Sequence, residues 1–209
     1  MSLFITFEGG EGSGKSVQAR ALYRRLSQLA IPALLTREPG GTPLGKKIGG
    51  WLKWAQDTDI SPLTELLLFN ASRAQLVTKI IKPNLENGMI VICDRYADST
   101  TAYQGYGRGL DLEMVKAVNN TATEGLKPDL IVLLDISAEE GLGRKRAKKQ
   151  DRFEREDIAF HQRVRDGYLK LAANGPGRWL VVDASQSKRK IAQIIWQRVS
   201  QLLSRHGKG

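Results

Sequence analysis

The stretch "FEGGEGSGKS", residues 7–16, decides the fold. It follows an apolar, β-type run at 3–7 and leads into a helical pattern. Gly9, Gly14, Lys15 and Ser16 fit the spacing of a phosphate loop, in the strand–loop–helix order that such a loop requires. Small residues let backbone N–H groups turn inward onto phosphate oxygens, and the next helix adds its dipole. Lys15 can reach the β and γ phosphates of a triphosphate, and the Ser16 hydroxyl can ligate Mg²⁺. The set expected to hold ATP is Gly9, Gly10, Glu11, Gly12, Ser13, Gly14, Lys15, Ser16 and Val17. The loop alone does not separate a kinase from a GTPase or a motor. Nor does it account for its two carboxylates, Glu8 and Glu11.

Outward from the loop, apolar runs at 3–7, 33–36, 89–93, 130–134 and 179–182 alternate with helical patterns. The patterns lie at about 14–30, 43–55, 62–86, 111–124, 138–149, 155–174 and 188–204. Ser61-Pro62 makes a cap and first-turn pair for the third. Strands separated by helices predict an α/β fold, a mostly parallel sheet covered on both faces. No repeat or linker splits the chain, so one domain over 1–209 is expected. Ligands of such sheets gather outside the carboxyl ends of the strands.

Each strand end carries candidate chemistry. After the second run comes "TREPGGT", where Arg37 is either a phosphate fork or a surface arginine in a turn fixed by Pro39. After the third comes Asp94-Arg95-Tyr96. An acid there in a phosphate-loop protein suits Mg²⁺ or its waters, and Arg95 is a second phosphate clamp. Ser99, Thr100, Tyr103 and Gln104 follow in "DSTTAYQGYGRG", read as a short helical turn and a glycine-rich loop. Phe69 and Arg73 stand four apart on one helix face, able to stack on a base and bond its edge, or simply to build core.

The net charge is +10, and its location matters more than its sum. Residues 144–155 hold seven Lys/Arg against two acids. Like charges so dense make either a mobile lid, ordered by a triphosphate, or a solvated helix face. Residues 184–209 carry six Lys/Arg beside an apolar helical stripe, which reads as a solvated face. The lone Cys93 sits in an apolar run and excludes a disulfide framework. No apolar run is long enough to span a membrane, and "MSLFITF" lacks the marks of a secretory signal. A cytoplasmic location is expected, with no membrane or nucleic-acid partner.

Together "FEGGEGSGKS", "TREPGGT", "LLLFNASRAQL", "DRYADSTTAYQG", "PDLIVLLD", "DRFE" and "VDAS" resemble the thymidylate kinase family over nearly the whole chain. The resemblance implies a nucleoside monophosphate kinase fold with a five-stranded parallel sheet in the order 2-3-1-4-5. It implies a mobile lid at about 143–156, a homodimer packed through helices, and transfer of the ATP γ-phosphoryl group to dTMP with Mg²⁺. Phe69 would stack on thymine and Arg73 would bind its carbonyl edge. Arg37 and Arg95 would hold the dTMP phosphate, beside Pro39. Asp94 and Ser16 would serve the metal. Tyr103 would sit by the sugar and disfavour a 2′-hydroxyl, while Ser99, Thr100 and Gln104 would line the nucleoside pocket. Glu11 in the loop, with Arg144, Arg146, Arg152 and Arg155 in or near the lid, matches the bacterial type. There Glu11 would position a metal-bound water or an arginine, and Glu8 would tie down the loop. Lid arginines often stand four apart in the family, whereas Arg144 is followed here by Lys148. Arg144 and Arg152 are therefore the expected lid groups, beside Lys15, Arg95 and Glu11 in catalysis. The alternatives are a kinase for another pyrimidine nucleotide on this fold, or a nucleotide-dependent nucleic-acid-binding ATPase.

Overall fold

Strand β1 (Leu3–Glu8) is buried along its whole length, as a strand must be when both its edges and both its faces are covered. The structure, a computed structural model, describes residues 2–55, 59–145 and 150–206. β1 pairs in parallel with β3 (Ile90–Asp94) on one side and β4 (Leu130–Asp135) on the other. β2 (Ala33–Arg37) and β5 (Trp179–Asp183) complete a five-stranded parallel sheet in the order β2-β3-β1-β4-β5. The register sets Phe7, Asp94 and Arg37 abreast, so three strands end at one level. That level is the ligand edge.

Strand alternation sorts the two faces. Leu3, Ile5 and Phe7 pack with Ile90, Leu130 and Val132 under α1 (Lys15–Gln28) and α9 (Lys188–His206). Leu22 and Leu26 of α1 and Ile191, Ile195 and Val199 of α9 fill that layer. On the other face Phe4 packs with Val91, Cys93, Tyr96, Leu76, Val77 and Ile81. A third cluster joins Tyr103, Phe153, Phe160, Val164 and Tyr168. None of the helices among the described residues is long and apolar enough to cross a membrane.

Four stretches depart from the sequence expectation. The helix expected over 62–86 is α3 (Pro62–Leu76), a π-helical turn (Val77–Ile81) and α4 (Lys82–Glu86). Pro83 has no N–H to give and its ring crowds the carbonyl four residues back, so the preceding turn widens. The Ser61 cap does form, its hydroxyl accepting the Thr64 N–H at 3.3 Å. The glycine-rich stretch read as a loop is instead α5 (Ala97–Thr100) continued by a π-helix (Thr101–Gly107). The helix expected over 138–149 is α7 (Ala138–Gly143), with Gly141 and Gly143 weakening its end; Arg146 and Lys148 lie outside the described residues. The next helix, α8 (Ile158–Asn174), begins at 158 rather than 155, because the Asp157 carboxylate caps it on the Phe160 N–H at 2.6 Å. α2 (Pro43–Trp54) and α6 (Leu112–Thr123) lie close to expectation.

Ile5 sits at the centre of the middle strand with no exposed surface. Ile5→Ala should destabilise the fold by about 3 kcal/mol through lost burial and a cavity. A urea titration should show a lower midpoint at unchanged slope.

Candidate active site

The loop after β1 closes around Lys15. Its ammonium donates to the carbonyls of Gly9 at 2.8 Å and Gly10 at 2.6 Å, and to the Ser13 hydroxyl at 3.2 Å. Among the described residues, the amides of Gly12, Ser13 and Gly14 find no acceptor, which leaves them for a ligand. Gly14 enters α1 with φ +91, and Gly12 has φ +68 at the loop tip. A Cβ on Gly12 would run into the Gly141 carbonyl of α7, and one on Gly141 would meet the Glu11 carbonyl. Only glycine at both positions allows this backbone-to-backbone approach. Burial, then the charge of Arg95, lower Lys15 to about 7, against the pull of Glu11 and Asp94.

Glu11 is the electrostatic centre of the site. Its Oε1 accepts from Arg95 Nη2 at 2.6 Å and from the Tyr103 hydroxyl at 2.8 Å. Its Oε2 accepts from Lys145 Nζ at 2.5 Å. Burial alone would raise this carboxyl, but Arg95, Lys15 and Lys145 together hold it well below the usual carboxylate range. Glu8, one turn of backbone earlier and fully buried, takes the Tyr96 N–H at 2.7 Å on Oε1. The hydroxyls of Ser99 and Tyr168 lie 2.5 and 3.1 Å from its Oε2. Burial, then the nearby Asp98 charge, push Glu8 up to about 8. The Arg95 backbone between these contacts is in the left-handed region, φ +72, a strained setting for a bulky residue.

The Ser16 hydroxyl donates to Asp94 Oδ2, bringing together the hydroxyl and carboxylate expected to serve a metal. Hard oxygen donors in this pairing suit Mg²⁺, which takes its remaining ligands from phosphates and water. Among the described residues no group of three or more His, Cys, Asp or Glu converges on a metal-sized site. The donor set fits a metal carried in with a nucleotide rather than a cage built by protein alone.

A cleft of about 730 Å³ runs along the ligand edge. It is lined by Glu11, Gly12, Gly14, Lys15, Ser16 and Val17 at one end, and by Asp94, Arg95 and Arg144 beside them. Arg37, Pro39, Phe69, Arg73, Ser99, Thr100, Tyr103 and Gln104 line the rest. Phe69 is half-buried and tilts against Phe153 at 5.7 Å between ring centroids. Gln104 gives one Nε2 hydrogen to the buried Glu65 at 2.7 Å, which fixes the amide and leaves its carbonyl oxygen and its second N–H.

Two expected roles meet obstacles. Arg73 is buried and all five of its N–H donors are engaged, on Glu38, Asn70, Asn119, the Tyr96 carbonyl and Thr100. It forms the floor of the cleft rather than a free reader of a base edge. Arg152 is not brought to the phosphate loop: it pairs with Glu65 and donates Nε to the Leu52 carbonyl at 3.1 Å. The buried Glu65 carboxylate, shared with Arg108, draws it away. Residues not singled out from sequence are Glu65, Lys145 and Phe153. Glu65 stands four and eight residues before Phe69 and Arg73, so the helix face that suggested those two would also have found it.

The family model described as thymidylate kinase matches residues 7–195. A thymidylate kinase of Dehalococcoides mccartyi is 57% identical over 203 residues, 97% of this chain and 98% of the relative. One from Roseiflexus castenholzii is 51% identical, covering 93% of this chain and 91% of its own length. The crystal structure of thymidylate kinase from Ehrlichia chaffeensis superposes with a TM-score of 0.78 at 35% identity, covering 95% of this chain and 98% of that one.

The lowered Lys15 sets a linkage. Burial in the empty site lowers Lys15 to about 7 and so favours loss of its proton as pH rises past that value, while triphosphate anions favour its charged form. Nucleotide binding at pH 8 should therefore take up about one proton, and far less at pH 6. Calorimetry in buffers of different ionisation enthalpy measures this uptake, which should vanish in Lys15→Met.

Proposed function

The chain belongs to the thymidylate kinase family, and on that footing we propose how its cleft carries out the family's reaction. It is an ATP-dependent nucleoside monophosphate kinase that moves the γ-phosphoryl group of ATP onto dTMP, giving dTDP and ADP on the way to dTTP. The bond from the γ phosphorus to the β–γ bridging oxygen breaks as a dTMP phosphate oxygen bonds to that phosphorus. The acceptor oxygen is already anionic, so no general base is needed. The protein's work is placement and charge neutralisation.

The observation that carries this reading is the meeting of Arg95 and the phosphate loop at Glu11, inside one cleft walled by Phe69 and Tyr103. The loop amides and Lys15 take the triphosphate. Arg37 and Arg95 take the dTMP phosphate, and Phe69 lies on the thymine face. Gln104, oriented by Glu65, offers its carbonyl oxygen to a ring N–H at the base edge. That choice favours thymine or uracil over cytosine, which has an acceptor there. Arg73 reaches the base only by sharing an N–H with a present partner. Tyr103, held on Glu11, stands by the sugar and leaves no room for a 2′-hydroxyl. Ser16 and Asp94 would hold Mg²⁺, which supplies charge neutralisation at the phosphates when bound.

The chain acts as one domain, with residues 143–156 closing over the phosphates as a lid that excludes water. It works in the cytoplasm as a homodimer. The exposed Leu63 and Leu67, one turn apart on α3, and Trp51 on α2 support a helix-mediated interface. Neither a membrane nor a nucleic acid is needed for the reaction.

A coupled assay of ADP formation with single acceptors tests the reading. Turnover should be fast with dTMP, slower with dUMP, and minimal with dCMP, with the ribose form of TMP and with thymidine. Turnover with dCMP matching dTMP would overturn the role given to Gln104. Phe69→Ala should weaken dTMP binding by about tenfold or more, as loss of one base–aromatic stack implies. ATP binding should hardly change. Equal weakening of both would make Phe69 a core residue.

A further inference from the structure

We propose that Lys145, two residues past the end of α7, is the lid cation that meets the transferring phosphoryl group, and that Glu11 and Glu154 hold it ready until the substrates arrive. The inference rests on the reading of the cleft given above and identifies the lid group that the reaction uses.

Among the described lid residues, Arg144 also lines the cleft but spends donors outside it, and Arg152 is held away from the phosphate loop. Arg144 donates to the Ala184 carbonyl at 3.0 Å and pairs with Glu140 at 2.7 Å. Arg152 is drawn to Glu65, on the side of α3. Lys145 lines the cleft, and its ammonium lies 2.5 Å from Glu11 Oε2. Its second partner, Glu154, belongs to the returning arm of the lid, so the pair clips the two arms together.

The position of this ammonium is set by backbone. The Gly12–Gly141 approach presses α7 against the tip of the phosphate loop. Lys145 lies only four residues beyond that contact, so it stays over the loop. Glu11 also binds Arg95 at 2.6 Å and accepts the hydroxyl of Tyr103. Lys145 thus shares a carboxylate with the arginine that takes the acceptor phosphate, beside the loop that takes the donor. A charge placed between donor and acceptor phosphates is where a loose phosphoryl-transfer transition state gathers negative charge.

The residue type suits the task. Lysine is a compact charge on a flexible stem, able to swing from one oxygen anion to another. At 36% exposure its side chain is the more accessible member of the pair, whereas the side chain of Glu11, at 9%, is largely enclosed. When phosphates enter, they compete with two carboxylates for the same ammonium.

Single-turnover phosphoryl transfer, measured with ATP and dTMP at saturation, separates this role from a structural clip. In Lys145→Ala the rate should fall about a hundredfold, the usual loss for one transition-state contact. The dTMP dissociation constant should stay within about threefold by calorimetry. Lys145→Arg should recover much of the rate, since it restores the charge. A rate in Lys145→Ala within about threefold of the parent would overturn the proposal. So would a loss accompanied by an equal weakening of dTMP binding that Lys145→Arg does not rescue, which is the signature of a clip. If the unsubstituted protein did not phosphorylate dTMP, the reading of the cleft would fail first, and this one with it.

Discussion

A carboxyl group with no access to water holds the ligand edge together. Glu8 ends β1 on the face opposite Leu3, Ile5 and Phe7, where α5 and α8 meet the sheet. Its oxygens gather the Tyr96 amide and the hydroxyls of Ser99 and Tyr168. One side chain thereby joins the central strand, the turn after β3 and the helix that follows the lid. Leaving such a group unpaired would cost several kcal/mol, so its partners are obligatory rather than decorative. The strained Arg95 backbone is fixed between two of these contacts: its own N–H on the Phe7 carbonyl at 3.0 Å, and the next N–H on Glu8. This pairing fixes where the Arg95 side chain leaves the backbone at the ligand edge, the side chain proposed above to take the acceptor phosphate.

The second acidic side chain of the loop, Glu11, does the complementary work as an ionised carboxylate. Glu11 gathers cations that would otherwise repel one another across the cleft. Without substrate, Lys15 folds back on the loop carbonyls while Arg95 and Lys145 rest on Glu11. The charges are therefore in place and compensated before any anion arrives. Such preorganisation limits the rearrangement required at the moment of transfer. It also explains how a chain of net charge +10 keeps a dense cationic cleft folded.

Much of this was legible in the sequence because the signals are local. The phosphate loop shows in its spacing, the strands in their apolar runs, the α3 start in Ser61-Pro62. What was hidden depends on packing at a distance. "YQGYGRG" reads as a loop because glycines usually mark turns. Here a Cβ on Gly107 would strike Phe160 and Val164 of α8, and one on Gly105 would strike Leu112. Those glycines permit close contact within a helical segment. The basic run at 144–155 was visible as a run of like charges, but nothing in a run says which of its described members faces the loop. That choice is made by Gly12 against Gly141 and by Glu65 pulling on Arg152, neither of which has a signature in sequence spacing. Arg73 was legible as a position but the engagement of its five donors was not, since their partners come from α3, α5, α6 and the turns after β2 and β3.

Cys93 ends the argument in a different direction. The chain has one cysteine, wholly inaccessible in β3, with its Sγ donating to the Arg95 carbonyl at 3.0 Å. Burial first, then the neighbouring carboxylates, raise its thiol well above the ordinary value, so it is a poor nucleophile toward alkylating reagents. Little reaction of the native protein with maleimides is expected. A single cysteine introduced at an exposed position would carry a spectroscopic probe alone, with no native thiol to remove. Two such cysteines, placed on opposite sides of the cleft, would carry a probe pair and make the distance across it observable.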